Sequence, residues 1–108
     1  MIDFEPRRGS EQGGTRPAII VQTDLGNHAP GARTTIVVPL TTQGRPFVFY
    51  VPVPKTKASG LAADSWANCT QVFTLDKSRL GRRLGTATAA QLRAIGDALR
   101  DTLDLSAP

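Results

Sequence analysis

Short apolar segments rich in β-branched residues recur along this chain, and glycine or proline separates each from the next. Such segments are typical of β-strands, and the Gly- and Pro-rich stretches between them are typical of turns. Proline cannot donate to a β-ladder, so the segment containing Pro52 and Pro54 should end there or lie at an edge. The predicted strands are Met1–Phe4, Arg16–Gln22 (buried), Thr34–Thr41, Phe47–Val53, Ala67–Leu75 and a short one within Arg79–Thr86. The predicted loops are Glu5–Thr15, Thr23–Arg33 and Lys55–Ala63.

The last part of the chain has the periodicity of a single amphipathic helix. Thr88 is a good N-cap residue, and Gln91 three positions later completes a capping box. Strands followed by one helix indicate an α+β fold, with a small, strongly bent sheet or open barrel capped by the helix. The apolar face of that helix is predicted to consist of Leu92, Ile95, Leu99 and Leu103.

Composition favours one globular domain spanning residues 1–108. Hydrophobic residues make up 40% of the chain and charged residues 20%, which is enough apolar material for one modest core. The longest apolar runs, such as 47–54, are far too short to cross a bilayer, and charges near the N-terminus interrupt any signal-like stretch. Cys69 is the only cysteine, so no internal disulfide can form. We therefore expect a soluble, cytoplasmic protein.

Positive charge is concentrated in the body of the chain. The net charge is +4, but residues 1–86 carry a surplus of five positive charges, whereas residues 87–108 carry one excess negative charge. A basic body favours association with polyanions such as nucleic acid. Many basic proteins bind no nucleic acid, so the charge alone leaves both possibilities open.

Few residues are suited to metal or nucleophilic chemistry. The only histidine is His28, the only cysteine is Cys69, and the carboxylates are scattered. No closed metal site and no Ser-His-Asp or Cys-His arrangement is predicted from these residues. Cys69 lies within a predicted strand and should belong to the core. The sequence lacks a GxxxxGK[ST] loop, so nucleotide hydrolysis has no support. No cofactor is predicted.

A glycine-rich polar loop leads directly into the strand that begins at Arg16. Because Pro17 follows, the backbone of Arg16 is restrained toward an extended conformation, and its guanidinium can bind two phosphate oxygens at once. Thr41 ends the next strand, so its hydroxyl can meet the guanidinium at one rim of the sheet. Thr42 and Gln43 are placed to add base or sugar contacts. Taken alone, the two motifs are also compatible with an ordinary surface loop and a plain turn.

Aromatic and basic residues are interleaved after that turn. Arg45 precedes Phe47, and Tyr50 precedes Lys55 and Lys57. Single-stranded RNA is bound by stacking on aromatic rings together with contacts to cations. Phe47 and Phe49, two residues apart, are predicted to form the core face of a strand. Tyr50, on the opposite face, is the candidate for exposure.

Three ordered blocks of this sequence resemble the MazF/PemK toxins, a family of ribosome-independent, metal-free endoribonucleases. Gly9–Val21 is similar to the first signature of the family, Val38–Gln43 to the second, and Gln71–Leu80, preceded by Asp64-Ser65, to the third. The terminal helix occupies the expected place, so the resemblance covers almost the whole chain. The stretch ahead of Ile2 is shorter than usual in the family, which implies a truncated first strand.

The resemblance implies an SH3-like (CcdB/PemK-like) open β-barrel with a C-terminal helix. It aligns Arg16 and Thr41 with the family's active-site arginine and threonine, and Glu11 with a loop position that assists catalysis. It also aligns five residues with the loop that covers the site or with the RNA groove, namely Ser10, Gln12, Thr42, Gln43 and Gln71.

The same resemblance implies a sequence-specific, metal-independent endoribonuclease of a toxin–antitoxin system. Such an enzyme cleaves single-stranded mRNA, leaves 2′,3′-cyclic phosphate and 5′-hydroxyl ends, and acts as a homodimer without a membrane partner. A cognate MazE-like antitoxin would inhibit it by placing an acidic, extended tail in the RNA groove. Two other functions fit the residues: a CcdB-like toxin that binds a protein target such as gyrase, and a non-catalytic RNA-binding barrel.

Overall fold

The structure is a computed structural model, and it describes residues 2–3 and 15–105. Two helices and a one-turn 3₁₀ helix accompany the strands of these ranges. In chain order the elements are β1 (Ile2–Asp3), β2 (Thr15–Arg16), β3 (Ala18–Ile20), α1 (Asp24–Asn27), β4 (Thr34–Thr41), β5 (Tyr50–Val53), β6 (Ser65–Asn68), β7 (Phe73–Asp76), the 3₁₀ helix (Lys77–Arg79) and α2 (Ala89–Thr102).

The strand β4 organises the sheet. It pairs with β3 along one edge and with β6 and β7 along the other, and β5 extends the sheet beyond β6. All of these pairings are antiparallel, and β1 and β2 form a separate two-stranded ladder. The fold is α+β, an unclosed, barrel-like antiparallel sheet with a C-terminal helix, which confirms the predicted class.

A proline inside β4 explains why two strands share one of its edges. The Leu40 N–H points toward β3, where it donates to the carbonyl of Pro17 at 3.0 Å. The next residue back, Pro39, therefore faces the opposite edge, where it has no N–H to donate. The ladder to β6 ends at Leu40 and the ladder to β7 begins at Val37, so the missing donor falls at the gap between them.

The main core lies between the inward face of this sheet and α2. Ile95 and Ala98 of the helix are 1% and 3% exposed and pack into it, and α2 packs mainly against β5. The cluster consists of Val38, Leu40, Val51, Val53, Leu61, Ala67, Cys69, Ile95 and Ala98. A smaller cluster surrounds Val37 on the other face of β4, so β4 is covered on both sides.

The predicted strand Arg16–Gln22 is divided and is less buried than predicted. The break falls at Pro17, which has no N–H for a ladder, so Arg16 pairs with Ile2 of β1 while Ala18–Ile20 pairs with β4. β3 lies at the edge of the larger sheet, and the side chain of Ile20 is 45% exposed. The prediction that this strand is buried was therefore wrong.

The predicted loop Thr23–Arg33 contains a one-turn helix, α1. Thr23 is its N-cap, with the side-chain oxygen accepting a hydrogen bond from the N–H of Gly26 at 3.3 Å. Asn27 holds this turn onto the sheet, because its side-chain oxygen accepts a 2.6 Å hydrogen bond from the buried hydroxyl of Thr35. Glycine and asparagine favour turns over helices, so their presence concealed the helix in the sequence.

Two other predicted strands are longer than the observed ones. The stretch Ala67–Leu75 forms β6 and β7 with a turn between them, and only Tyr50–Val53 of the predicted Phe47–Val53 is extended. The stretch Arg79–Thr86 contains the end of the 3₁₀ helix and an isolated β-bridge at Leu80, and the rest is irregular backbone rather than a strand.

The capping box of α2 is confirmed in both directions. The hydroxyl oxygen of Thr88 accepts from the Gln91 N–H at 3.0 Å, and the side-chain oxygen of Gln91 accepts from the Thr88 N–H at 2.9 Å. The buried face is narrower than predicted, because Leu92 is 43% exposed and Leu103 is 55% exposed. Among the described residues, no helix is long and apolar enough to span a bilayer.

Candidate active site

Arg16 and Thr41 each lie one residue beyond the hydrogen bond that joins Pro17 to Leu40. β3 and β4 pair in a register that ends with this bond, in which the Leu40 N–H donates to the carbonyl of Pro17 at 3.0 Å. Arg16 itself pairs with Ile2 of β1, and Thr41 pairs with Trp66 of β6. The two predicted site residues therefore lie at the same rim of the sheet, and their catalytic roles remain predictions.

The position of Arg16 is fixed by strands on both sides. Its backbone pairs with Ile2 of β1 and continues into Pro17, whose carbonyl is bonded to β4. The side chain is half-buried, and its Nε atom is shielded from solvent. A guanidinium on a root held in this way loses little conformational freedom when it binds an anion.

The hydroxyl of Thr41 is oriented by its own turn. The Gln43 N–H donates to Oγ1 of Thr41 at 3.1 Å, as in the local turns that Thr side chains commonly form. An oxygen that accepts this bond keeps its own proton, which can be donated to another acceptor. The half-buried Thr41 can therefore act as a positioned hydrogen-bond donor at this rim.

The side chain of Thr41 lies on the face of the sheet directed away from α2. Thr41 pairs with Trp66 of β6, which pairs with Pro52 of β5, and paired residues share a face. The alternate row is Leu40, Ala67 and Val51, and all three belong to the main core. We call the surface that carries Thr41, Trp66 and Pro52 the outer face.

The segment that follows Thr41 crosses the outer face. β4 and β5 both run antiparallel to β6, so residues 42–49 must return across β6 to begin β5. Gly44 lies against Trp66 in this segment, so closely that an added Cβ would be 2.2 Å from Cγ of the indole. We call residues 42–49 the crossover loop. Its packing on Trp66 fixes the backbone immediately after Thr41.

The predicted RNA-contacting residues within the described ranges surround this rim. Thr42 and Gln43 are exposed at the start of the crossover loop. Gln71 is exposed in the turn between β6 and β7, and its N–H donates to the Asn68 carbonyl at 3.2 Å. Because both strands pair with the same edge of β4, this turn lies beside the middle of β4, within about 10 Å of Thr41 along the strand. Their roles in binding RNA remain predictions.

Three further predicted site residues, Ser10, Glu11 and Gln12, lie outside the described residues. They belong to the segment between β1 and β2, and these two strands pair at Asp3 and Thr15. Thr15 is next to Arg16, and Asp3 is next to Ile2, the partner of Arg16. The predicted roles of the three residues remain sequence-based.

The aromatic residues are arranged differently from the prediction. Phe47 lies in the crossover loop, where it is 54% exposed, so its assignment to the core was wrong. Its ring meets that of the half-buried Phe49 edge to face, with centroids 5.4 Å apart. Tyr50 is half-buried, and the guanidinium of Arg45 lies 6.0 Å from its ring centroid. Trp66, which pairs with Thr41, was not singled out in the sequence because no motif marks it.

The two remaining nucleophile or ligand candidates lie away from this site. Cys69 is fully buried in the main core, as predicted, and burial raises the pKa of its thiol from 9.0 to about 11. Its thiolate is therefore disfavoured at neutral pH. His28 is exposed at the end of α1, where its N–H donates to the Asp24 carbonyl. Within the part of the chain that the structure describes, no three His, Cys, Asp or Glu residues form a group able to hold a metal ion.

Comparison with known proteins gives consistent matches over nearly the full length. Residues 1–103 match the model of the family described as the PemK-like, MazF-like toxin of type II toxin-antitoxin systems. The chain is 34% identical to the endoribonuclease MazF9 of Mycobacterium tuberculosis, over 96% of this chain and 91% of that protein. The alignment thus spans nearly the whole of both proteins.

Solved structures agree with this assignment. The toxin MazF-mt6 of M. tuberculosis has a TM-score of 0.74 and 29% identity, covering 85% of this chain and 89% of that one. An endoribonuclease solved in complex with its cognate antitoxin, from a mycobacterial species, has a TM-score of 0.73 and 28% identity, covering 88% and 86%. On this evidence the chain belongs to the PemK-like, MazF-like family of toxins of type II toxin-antitoxin systems.

Proposed function

We propose that this protein cleaves single-stranded mRNA at short sequence motifs, without a metal ion, and leaves 2′,3′-cyclic phosphate and 5′-hydroxyl ends. The chain is an endoribonuclease toxin of its family. The finer chemistry is supported by one observation above all, the hydrogen bond between Leu40 and Pro17, because Arg16 and Thr41 each lie one residue from it at the same rim of the sheet. A fixed cation beside a fixed hydroxyl suits a phosphodiester anion.

The proposed reaction uses the RNA's own 2′-hydroxyl as the nucleophile. Its oxygen attacks the adjacent phosphorus, the bond from phosphorus to the 5′-oxygen breaks, and the cyclic phosphate forms. Three tasks follow: removal of the 2′ proton, stabilisation of the dianionic phosphorane, and protonation of the leaving 5′-oxygen. This reaction consumes neither water nor a co-reactant.

Arg16 is assigned to stabilising the dianionic phosphorane. A guanidinium remains protonated in water and is a poor base, but its paired N–H donors match two phosphate oxygens. The charge on those oxygens grows in the transition state, so a rigidly held cation stabilises the transition state more than the bound substrate. Arg16 can also donate to the leaving oxygen.

Thr41 is assigned to positioning the phosphate. Its oxygen already accepts the Gln43 N–H, so the hydroxyl proton is available for a phosphate oxygen. Glu11, or a water molecule, is the proposed base. Thr42, Gln43, Gln71, Ser10 and Gln12 are the proposed contacts to bases and sugars.

We extend the proposal to partners and location. The mycobacterial endoribonuclease named above was solved with a cognate antitoxin, and a MazE-like antitoxin with an acidic tail would complement the basic body of this chain. The proposed enzyme is a cytoplasmic homodimer whose single domain spans residues 1–108. Co-expression with a neighbouring small, acidic reading frame should relieve growth arrest, and light scattering should give twice the chain mass.

Incubation of the purified protein with a long single-stranded RNA in EDTA tests the proposed chemistry. Discrete fragments that resist polynucleotide ligation until their 3′ ends are dephosphorylated, and that accept a 5′ phosphate from a kinase, are expected. Binding without cleavage would favour the RNA-binding barrel instead. Neither binding nor cleavage would favour a protein-directed toxin such as the gyrase-binding type. Cleavage that requires added Mg²⁺ would contradict metal independence.

Substitutions within this assay test the assigned residues. Arg16→Ala should reduce cleavage by more than about 10²-fold, as removal of an oxyanion-stabilising donor does, while RNA still binds. Arg93→Ala, an exposed arginine on α2, is the matched control and should cut like the wild type. Wild-type cleavage by Arg16→Ala would refute the assignment.

A further inference from the structure

The crossover loop exposes an aromatic side chain that the fold does not use. The side chain of Phe47 is 54% exposed. Single exposed apolar residues are ordinary, but an aromatic ring that is held in place at the surface is suited to binding a flat partner group. The same loop carries Gln43 and Arg45, which are both exposed.

The ring of Phe47 is held in place rather than loosely exposed. Its carbonyl accepts the Tyr50 N–H at 2.9 Å, which closes a tight turn at the end of the crossover loop. The carbonyl of Phe49 in the same turn accepts the Cys69 N–H at 2.8 Å, so the turn is fastened to the core. Phe49 supports the Phe47 ring edge to face. More than half of Phe47 nevertheless faces solvent.

The turn that carries Phe47 lies on the same face as the candidate active site. Tyr50 is two residues from Pro52 on β5, so the two side chains share the outer face with Thr41. The crossover loop passes over that face, as the contact of Gly44 with Trp66 demonstrates. Tyr50 is two strands away from Thr41 across the sheet and two residues away along the strand direction. Their Cα atoms are therefore about 12 Å apart. A few nucleotides of an extended RNA strand bridge such a span.

The charge beside Phe47 fits a nucleic acid strand. Arg45 lies two residues away, with its guanidinium 6.0 Å from the Tyr50 ring centroid. Bases of single-stranded RNA stack on aromatic rings and on guanidinium planes, and a neighbouring cation contacts the phosphate. Ring and cation therefore occur together on the surface that leads away from Thr41.

We propose that Phe47 is a base-stacking platform for a nucleotide of the RNA substrate flanking the scissile linkage, with Arg45 as the accompanying cation. The proposal rests on the proposed function, since it assigns a second contact to the same substrate strand. Stacking tolerates any base. Phe47 thus contributes binding energy and register along the strand, while selectivity is left to polar contacts nearer Thr41.

Binding is measured with an oligoribonucleotide that contains a mapped cut site and a single 2′-deoxy nucleotide at that site, which removes the nucleophile. Fluorescence anisotropy gives the dissociation constants of the wild type, Phe47→Ala, Phe47→Trp and Val48→Ala. Val48→Ala is the matched control, because Val48 is equally exposed and cannot stack. We expect Phe47→Ala to lose about 10- to 100-fold in affinity, Phe47→Trp to retain it, and Val48→Ala to stay within about threefold.

Replacing the base at each flanking position by an abasic site locates the contact. At one position the abasic substitution should lower the affinity of the wild type for the oligonucleotide about as much as Phe47→Ala does. The same substitution should cause little further loss of affinity in Phe47→Ala, because both changes remove the same stacking contact. Equal affinities for Phe47→Ala and the wild type would overturn the proposal, as would equal losses in Phe47→Ala and Val48→Ala. A changed oligomeric state of Phe47→Ala in light scattering would also overturn it and would assign Phe47 to a subunit contact.

The cleavage assay separates this proposal from the proposed function. A wild-type protein that cleaves RNA at the mapped site only when Mg²⁺ is added would refute metal-independent cleavage. The comparison of Phe47→Ala with Val48→Ala on the same oligonucleotide would still decide whether Phe47 stacks on a base.

Discussion

The candidate site depends on individual side chains whose starting points are set by backbone pairing. Arg16 and Thr41 are 25 positions apart in the sequence, yet each lies one residue from the hydrogen bond between Pro17 and Leu40. Their positions at strand ends could be predicted from the sequence, because a proline follows Arg16 and an apolar strand ends at Thr41, whereas their catalytic roles stay predictions. Trp66 and the exposure of Phe47 were not predictable, since each depends on where the crossover loop runs.

Substitution of Gly44 tests whether cleavage requires a fixed backbone after Thr41. An alanine Cβ at this position would be 2.2 Å from the Trp66 indole, so Gly44→Ala must displace the loop or the ring. We expect a loss of about 1–3 kcal/mol in stability, an altered tryptophan emission spectrum and reduced cleavage. Gly96→Ala, at a site where a Cβ meets nothing within 4 Å, is the control. Unchanged emission and cleavage in Gly44→Ala would contradict the packing described.

Cys69 provides a pH-dependent prediction. Burial raises the pKa of its thiol to about 11, so the folded state disfavours the thiolate. The resulting contribution to stability is fully present below the pKa of the unfolded thiol and is lost as pH rises through the folded value. Native protein should therefore fail to react with Ellman's reagent at about pH 8 and should react fully in guanidinium. Stoichiometric reaction of the native protein at that pH would contradict the assignment.

At the scale of elements, β4 and α2 were predicted closely, whereas the strands around them were not. The β-branched run of β4 and the capping box of α2 are local signals, which sequence reasoning detects well. The split between β6 and β7 depends on Pro39, which lies in a different strand. The α1 turn is stabilised by Asn27 bonding to Thr35, a contact that the local sequence does not indicate.

Two substitutions in or next to the helix α2 should change the free energy of unfolding in opposite directions. Gly96→Ala should raise the free energy of unfolding by about 1 kcal/mol, because alanine favours helix and its Cβ enters open space. Thr88→Ala should lower it by about 1 kcal/mol, because the capping box loses its side-chain acceptor. Urea denaturation of both variants measures the two changes. A destabilised Gly96→Ala would mean that the exposed face of α2 is covered in the folded protein.

Across the whole molecule, the outer face lies on the opposite side of the sheet from the helix. The core joins α2 to the inward face of the sheet, whereas Thr41 is on the other face. The segment that contains α2 carries a net negative charge, and residues 1–86 carry the positive surplus. That surplus favours association with a polyanion such as RNA. The fold class and the charge asymmetry were predictable from the sequence, because both follow from the order and composition of segments.

The most direct test is a double-mutant cycle on cleavage, with single-turnover rates in EDTA for the wild type, Arg16→Ala, Thr41→Ala and the double variant. Thr34→Ala, at the far end of the same strand, serves as the control. If the guanidinium and the hydroxyl act on one phosphate, the double variant should be about as slow as the slower single variant. Rate losses that simply multiply, or a Thr41→Ala rate equal to that of Thr34→Ala, would contradict a shared phosphate site.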